Sequence, residues 1–180
     1  PGRMIEKSWA ESGNGHQGSV VSNPECLREG SAIEDFMKPD RVVIGASDRE
    51  SIDLMKEIYA PLHSLEIPFV VTNVESSELI KYAANGFLAT KISYVNAVAA
   101  VCEAVGADVN EDVLGMGYEK RLGHEFLSPG PGWGGSCFPK DTRALVHIAE
   151  EAGYDFDLPK SVVTLNDPQL ARFAQKLGDA

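Results

Sequence analysis

The chain has 180 residues, 43% hydrophobic and 24% charged, a composition typical of a globular protein. Its formal net charge of -11 argues against binding to nucleic acid or anionic membranes, since both need clustered Lys and Arg. No apolar run approaches the ~20 residues that span a bilayer, and no signal-like leader opens the chain. We therefore expect a cytoplasmic protein. Because Pro1 replaces an initiator Met, we also expect an internal piece of something longer.

The cysteines give a separate constraint on compartment and chemistry. Cys26, Cys102 and Cys137 are odd in number and widely spaced, which fits neither a secreted disulfide framework nor a CxxC metal site. Free cysteines are commonly buried, so two are expected to be packing residues and one at most to do chemistry. No metal site is predicted.

The first part of the chain alternates strand-like and helix-like segments. After 18 polar, Gly-rich residues, the apolar runs at 20–21 and 41–45 predict buried strands. Residues 48–63 carry apolar side chains near helical spacing, and residues 68–72 return to strand character. The order strand, helix, strand predicts the edge of a parallel α/β sheet.

The remainder is predicted to be mainly helical. Thr72 and Glu75 fit a capping box, and apolar residues at helical intervals predict one helix from there to Gly106. A second helix is predicted from Pro139 to just before Gly153, since Pro is favoured in the first turn and Gly beyond the last. A polar turn and a helix from about residue 168 follow. A domain boundary is placed near residue 74.

One glycine-rich segment delivers a cysteine to a predicted helix start. Residues 128–141 place Cys137 after several glycines and before that helix, with Lys140 and Asp141 following. Unpaired backbone N–H groups at a helix start favour a thiolate, and Asp141 lies one turn on, where it can orient water or a base. A buried cysteine in a glycine-rich turn explains the same residues equally well.

Two pairs of polar residues are further candidates. Lys81 and Asn85 share one helical face, where an ammonium and an amide can stabilise an alkoxide. Glu25 and Glu29 follow the first predicted strand, at the sheet end where ligands collect. The alternatives are a solvated helical face for the first pair and an acidic first helical turn for the second.

Taken together, these segments resemble the UDP-glucose/GDP-mannose dehydrogenase family. The matching stretches cover residues 22–30, 39–45, 75–91, 121–123 and 130–141 in the order of the family. The resemblance implies NAD-dependent, four-electron oxidation of a sugar C6 alcohol through aldehyde, thiohemiacetal and thioester stages. The sequence around Cys137 favours UDP-glucose as substrate. GDP-mannose and UDP-N-acetylhexosamines stay open as alternatives.

The resemblance also implies roles for individual residues. Cys137 matches the nucleophile, Lys81 with Asn85 the group that stabilises the oxyanion, Asp141 the acid that holds water, and Glu25 the base. Those implied to contact substrate are Cys26, Leu27, Lys81, Arg121, Phe126, Leu127 and Gly134. Those implied to contact NAD are Glu29 and Lys140. Arg121 matches an arginine that reaches the sugar of a neighbouring subunit, which implies a homodimer, expected through the helix at 75–105.

The implied fold is an α/β edge of a dinucleotide-binding, Rossmann-like domain joined by a long helix to a mainly α-helical central domain. Residues 1–74 would be the first part and residues 75–180 the second. Because the family has its glycine motif before this segment and another nucleotide-binding domain after it, the isolated chain is expected to be inactive. Two rivals are a noncatalytic dimerisation module with a structural Cys137 and a single-step hydroxyacid dehydrogenase, which needs no cysteine.

Overall fold

The structure is a computed structural model that describes residues 2–12, 18–25, 27–28, 30–63 and 65–178. Two compact units make up the chain, residues 1–81 and residues 82–180. The elements that begin in the first unit are α1 (Gly2–Ser12), α2 (Ala32–Met37), β1 (Val42–Gly45), α3 (Arg49–Ile58), α4 (Ala60–His63), β2 (Phe69–Thr72) and α5 (Val74–Val105).

Strands β1 and β2 form a parallel pair. Val42 lies opposite Phe69, and Gly45 lies opposite Thr72. Val42, Ile44 and Leu62 are buried in one cluster, as expected for a parallel strand covered on both faces. The predicted strands at 41–45 and 68–72 and the predicted α/β edge are therefore confirmed.

Helix α3 begins where its sequence provides a cap. The carboxylate of Asp48 accepts a hydrogen bond of 2.8 Å from the Ser51 N–H, which satisfies one of the unpaired donors of the first turn. The same bond is the main reason that the pKa of Asp48 is lowered. From this cap α3 places Met55 against the buried cluster. The predicted helix at 48–63 is thus present, divided between α3 and α4.

The strand predicted at residues 20–21 is wrong. The chain forms only an isolated antiparallel bridge between Ser22 and Gly45 there. On one side of this bridge the Asn23 side chain donates to the Val43 carbonyl at 2.8 Å, and Pro24 has no N–H to offer. On the other side, residues 20–21 would face the chain beyond Gly45, the last residue of β1. Helix α1, within the polar segment that opens the chain, was not predicted.

Gly45, at the end of β1, lies very close to the start of α5. A Cβ built there would lie 2.3 Å from the Ser77 Cβ and 2.8 Å from the Asn73 carbonyl oxygen. We expect Gly45→Ala to lower the free energy of unfolding by about 1–3 kcal/mol, because overpacking forces the backbone apart. Urea unfolding should show Gly115→Ala raising it by ~0.5–1 kcal/mol instead, since that helical glycine has open space. Equal effects of the two variants would contradict this account.

The long helix α5 confirms the predicted element but not its predicted cap. Thr72 belongs to β2, and the Asn73 side chain accepts the hydrogen bond from the Ser76 N–H at 2.8 Å. Asn is as good a capping residue as Thr, and strand pairing keeps Thr72 out of that position. The helix then runs for 32 residues.

The second unit is helical throughout its regular structure, as predicted. After α5 it contains α6 (Val109–Gly117), α7 (Cys137–Glu151), α8 (Asp157–Asn166) and α9 (Gln169–Gly178). Helix α7 begins two residues before Pro139, since a proline is tolerated within the first turn, where its missing N–H costs nothing. Helix α8 replaces a predicted polar turn, and its Pro159 is likewise in the first turn.

The core of the second unit is built around an aromatic ring. Trp133, Ala89 and Val162 form a buried cluster, against which Ile92 and Phe138 pack from α5 and α7. The glycine-rich segment therefore contributes its tryptophan to the core immediately before α7. The segment that leads to Cys137 is therefore anchored in the core four residues before α7 begins.

Helix α5 also has the length and composition to cross a membrane, alone among the described residues, and 28% of its most apolar window is buried. No such segment was expected from the sequence, because polar residues interrupt the apolar residues of this helix. Two of them, Ser93 and Asn96, are buried and hydrogen-bonded within the second unit. Core helices of water-soluble proteins have the same length and composition.

Candidate active site

The segment before Cys137 has a backbone that requires glycine at two places. Gly132 has φ +100° and Gly135 has φ +72°, a region that side-chain-bearing residues rarely adopt. At Gly132 a Cβ would also lie 2.7 Å from the Asn166 Oδ1 atom. These two glycines let the chain turn sharply on either side of Trp133, before α7 begins.

Cys137 is the first residue of α7 and is half-buried. Its Sγ atom lies 3.7 Å from the hydroxyl of Ser136. Cys102 differs in every respect: it is buried, its thiol lies 2.9 Å from the Asp112 carboxylate, and this hydrogen bond together with burial raises the pKa of the Cys102 thiol. The structure therefore separates an accessible cysteine from a packing cysteine, while Cys26 lies outside the described residues.

Asp141 lies fully buried on the next turn of α7. Its Oδ2 accepts a hydrogen bond of 2.6 Å from the Asn85 side chain on α5, and its Oδ1 is paired with Lys140. A buried carboxylate is tolerated only when paired and hydrogen-bonded in this way. The pair joins α5 to the first turns of α7, so two of the predicted catalytic residues are brought together.

Lys81 and Glu25 form a second contact, within the first unit. The Lys81 Nζ lies 2.6 Å from the Glu25 Oε1, and the Glu25 Oε2 accepts a 2.8 Å hydrogen bond from the Leu27 N–H. The Lys81 side chain is only 21% exposed. The structure thus joins the predicted base to the predicted oxyanion-stabilising lysine. Glu29, the predicted neighbour of the cofactor, lies outside the described residues.

The predicted substrate contacts fall into different environments. Arg121 is exposed and forms an ion pair with Glu119 at 3.0 Å, which lowers the pKa of Glu119. Phe126 has a left-handed backbone and its ring lies edge-on to Phe138, centroid to centroid 6.4 Å. Leu127 is 3% exposed, so its side chain belongs to the protein interior.

The remaining predicted residues are open to solvent. Gly134 is exposed and has no atom within 4 Å of where a Cβ would stand. Lys140 is exposed along its side chain while its ammonium reaches Asp141. Among the described residues, His, Cys, Asp and Glu form no group of three suited to a metal ion.

Sequence reasoning missed a set of polar residues around the glycine segment. Four side chains bind this segment directly and hold its backbone or its indole ring: Ser93, Asn96, Asn166 and Gln169. The only signal in the sequence was that Ser93 and Asn96 stand on the buried face of an otherwise apolar helix. Asn166 and Gln169 belong to helix ends far along the chain and carry no local signature.

Models of one known protein family match two ranges of the chain. Residues 75–168 match the central domain of the UDP-glucose/GDP-mannose dehydrogenase family, and residues 3–63 match the NAD binding domain of the same family. The first match covers α5 to α8 and the second covers α1 to α4, whereas the two compact units meet at residues 81/82, within α5.

Individual relatives agree with the family match. UDP-glucose 6-dehydrogenase TuaD of Bacillus subtilis (strain 168) is 47% identical over 98% of this chain and 38% of its own length. UDP-glucose 6-dehydrogenase of Rickettsia typhi (strain ATCC VR-144 / Wilmington) is 51% identical over 82% of this chain and 34% of its own.

A solved structure shares the fold as well. A UDP-glucose dehydrogenase from the hyperthermophilic archaeon Pyrobaculum islandicum superposes with a TM-score of 0.84 at 40% identity, over 91% of this chain and 37% of that one. The chain therefore spans little more than a third of the length of these relatives. With matching models over both parts and a shared fold, the chain belongs to the UDP-glucose/GDP-mannose dehydrogenase family.

Proposed function

We propose that the whole protein oxidises the C6 alcohol of UDP-glucose to the carboxylate of UDP-glucuronate. The observation that carries the proposal is the half-buried Cys137 at the first residue of α7, beside a buried Asp141 that is bonded to Asn85. Relatives named UDP-glucose 6-dehydrogenase support the choice of substrate. Overall, one alcohol, one water and two NAD+ give one carboxylate, two NADH and three protons.

A cysteine has a defined purpose in this reaction. The first oxidation turns the alcohol into an aldehyde, whose planar carbon has no hydride to give without an added nucleophile. Attack by the Cys137 sulfur forms a carbon–sulfur bond and a tetrahedral thiohemiacetal, from which a second hydride leaves to give a thioester. Water then cleaves the carbon–sulfur bond, releasing the carboxylate and restoring the thiol.

The neighbouring groups supply charge and proton transfer. Lys81 and Asn85, one turn apart on α5, are proposed to stabilise the oxygen on C6 as negative charge develops there. Glu25 would accept the proton released in the reaction, and its carboxylate lies 2.6 Å from the Lys81 ammonium. In this arrangement the two carboxylate oxygens of Asp141 are bonded to Asn85 and Lys140. Asp141 is therefore proposed to orient those two groups as well as to hold the water that cleaves the thioester.

NAD+ would supply the hydride acceptor for both oxidations. The parallel pair β1 and β2 suits the edge of a dinucleotide-binding sheet, whereas Gly45 is occupied by packing against Ser77 and offers no space for a ligand. Glu29 and Lys140 are proposed to contact the cofactor, the lysine through its positive charge. Because its substrates are metabolites of the cell interior, we place the protein in the cytoplasm.

The test is a count of NADH formed per sugar consumed by the full-length protein. Two NADH per UDP-glucose would support the proposal, and one would point to a single-step dehydrogenase. Turnover of GDP-mannose or a UDP-N-acetylhexosamine in place of UDP-glucose would reassign the substrate and keep the chemistry. No turnover of any of these would favour a noncatalytic module. The 180 residues alone are proposed to form no NADH, as they span about a third of active relatives' length.

The protein is further proposed to be a homodimer through α5. Phe87, Tyr94 and Val101 are spaced by seven residues on this helix, and each is more than half exposed. An apolar stripe at this spacing is typical of a helix that packs on a second helix. Sedimentation equilibrium is expected to give a dimer, and Phe87→Glu a monomer. A wild-type monomer at all concentrations would contradict the proposed interface.

A further inference from the structure

The peptide groups of Trp133 are held by one side chain from α8. Asn166, the last residue of that helix, accepts a hydrogen bond of 2.8 Å from the Trp133 N–H and donates one of 2.9 Å to the Trp133 carbonyl. Its carboxamide thereby pairs with the backbone as a neighbouring strand would. Both polar groups of a residue four positions before Cys137 are satisfied by this single contact.

The fit around this contact is close. At Gly132 there is no room for a side chain, because a Cβ would lie 2.7 Å from the Asn166 Oδ1 and 3.4 Å from the Gln169 Cβ. Gln169 itself donates a 2.7 Å hydrogen bond to the Gly130 carbonyl. The glycine segment and the junction of α8 with α9 are thus matched in shape as well as in hydrogen bonding.

Two residues of α5 also form hydrogen bonds with the glycine-rich segment. Asn96 accepts a 2.8 Å hydrogen bond from the Gly130 N–H, and Ser93 accepts one of 2.8 Å from the Trp133 indole N–H. Ser93 in turn donates to the Val162 carbonyl of α8 at 3.3 Å. Glycine-rich backbone has high conformational freedom, so these bonds are what restrict it to one arrangement.

We propose that Asn166 is a positioning residue for Cys137. By fixing both polar groups of the Trp133 peptide, it sets where α7 begins and hence where the sulfur lies; this consequence rests on the proposed function. Asn166 touches neither the sulfur nor the reacting carbon. Asn166 therefore contributes to the second oxidation, which needs the Cys137 sulfur. The first oxidation needs neither Cys137 nor Asn166.

The first experiment is amide hydrogen exchange on the 180-residue chain, comparing Asn166→Ala with Thr164→Ala. Thr164 is a matched control because it is exposed on the same helix and its hydroxyl donates to the Lys160 carbonyl of that helix. In Asn166→Ala the Trp133 amide is expected to exchange about tenfold faster or more, since its acceptor is gone. In the same variant the buried Val95 amide of α5 should exchange at the wild-type rate. In Thr164→Ala all amides should exchange at wild-type rates.

The second experiment uses the full-length protein and separates the two oxidations. Asn166→Ala is expected to accumulate aldehyde and to form close to one NADH per UDP-glucose instead of two, with an unchanged KM for the sugar. General destabilisation would lower both oxidations equally and leave the ratio at two. Thr164→Ala should retain two NADH per sugar.

The outcomes distinguish this proposal from the proposed function. If Trp133 and Val95 exchange faster by the same factor, or if Trp133 stays protected, Asn166 does not hold the segment. If the segment loosens while NADH per sugar stays at two, Asn166 does not position Cys137. If the wild type oxidises no sugar nucleotide, the proposed function fails, and the exchange of the Trp133 and Val95 amides still decides whether Asn166 holds the segment.

Discussion

Replacing Cys137 by serine in the full-length protein is expected to stop the reaction at the aldehyde. Steady-state NADH formation should fall by about 10³-fold or more, because a hydroxyl is a far weaker nucleophile than a thiolate at neutral pH. At high enzyme concentration up to one NADH per sugar should still appear, since the first oxidation does not need the sulfur. A stopped assay that quantifies aldehyde and NADH together measures this.

Cys102→Ser is the matched control for that experiment. Cys102 is buried and bonded to Asp112, a contact that a serine hydroxyl can make in the same place, and it has no proposed part in the chemistry. Its turnover should stay close to the wild-type value. Undiminished turnover in Cys137→Ser, or an equal loss in both variants, would contradict the thioester route. Either result would favour a single-step dehydrogenase or a structural role for Cys137.

Replacing Trp133 by alanine is expected to be the most destabilising single change in the second unit. Trp133 is 8% exposed and packs with Ala89 and Val162, so its removal leaves a large cavity, and Trp→Ala changes in cores cost about 3–5 kcal/mol. The indole hydrogen bond to Ser93 is lost as well. Urea unfolding followed by far-UV circular dichroism gives the change in free energy.

The control keeps a ring in the same place. Trp133→Phe retains most of the apolar contact and loses the indole N–H, which leaves Ser93 without that donor, so a cost of about 1–2 kcal/mol is expected. A cost for alanine no larger than that for phenylalanine would mean that the packing of the indole contributes little. The core of this unit would then have to lie elsewhere.

Together the two substitutions separate the chemistry from its support. Cys137 is expected to affect the reaction with little effect on stability, because it is half-buried at the start of a helix. Replacement of Trp133 is expected to lower stability and, as a consequence, the reaction rate, because Trp133 anchors the segment that ends at Cys137. Asn166 lies between these cases, since it fixes the backbone of Trp133 without belonging to the apolar cluster.

Much of the second unit could be predicted because its signals are local. Helical spacing of apolar residues extends along α5, and the glycine–cysteine–proline pattern marked the start of α7 to within two residues. The strand predicted at residues 20–21 failed for a different reason. A short apolar run carries no information on where a partner strand ends, and here Ser22 is bridged to Gly45, the last residue of β1, so residues 20–21 would face the chain beyond that strand.

The sequence by itself determined the family, the parallel strands, the long helix and the residues that carry the proposed chemistry. The elements and the residues depend on patterns within a few neighbouring positions, and the family depends on several such patterns in one order. Only the tertiary structure decided that Asn85 bonds to Asp141, that Glu25 bonds to Lys81, and that Asn166 holds Trp133. These pairs are 33 to 56 residues apart along the chain. No local pattern encodes such contacts, since they depend on how packed helices and strands bring distant side chains within hydrogen-bonding distance.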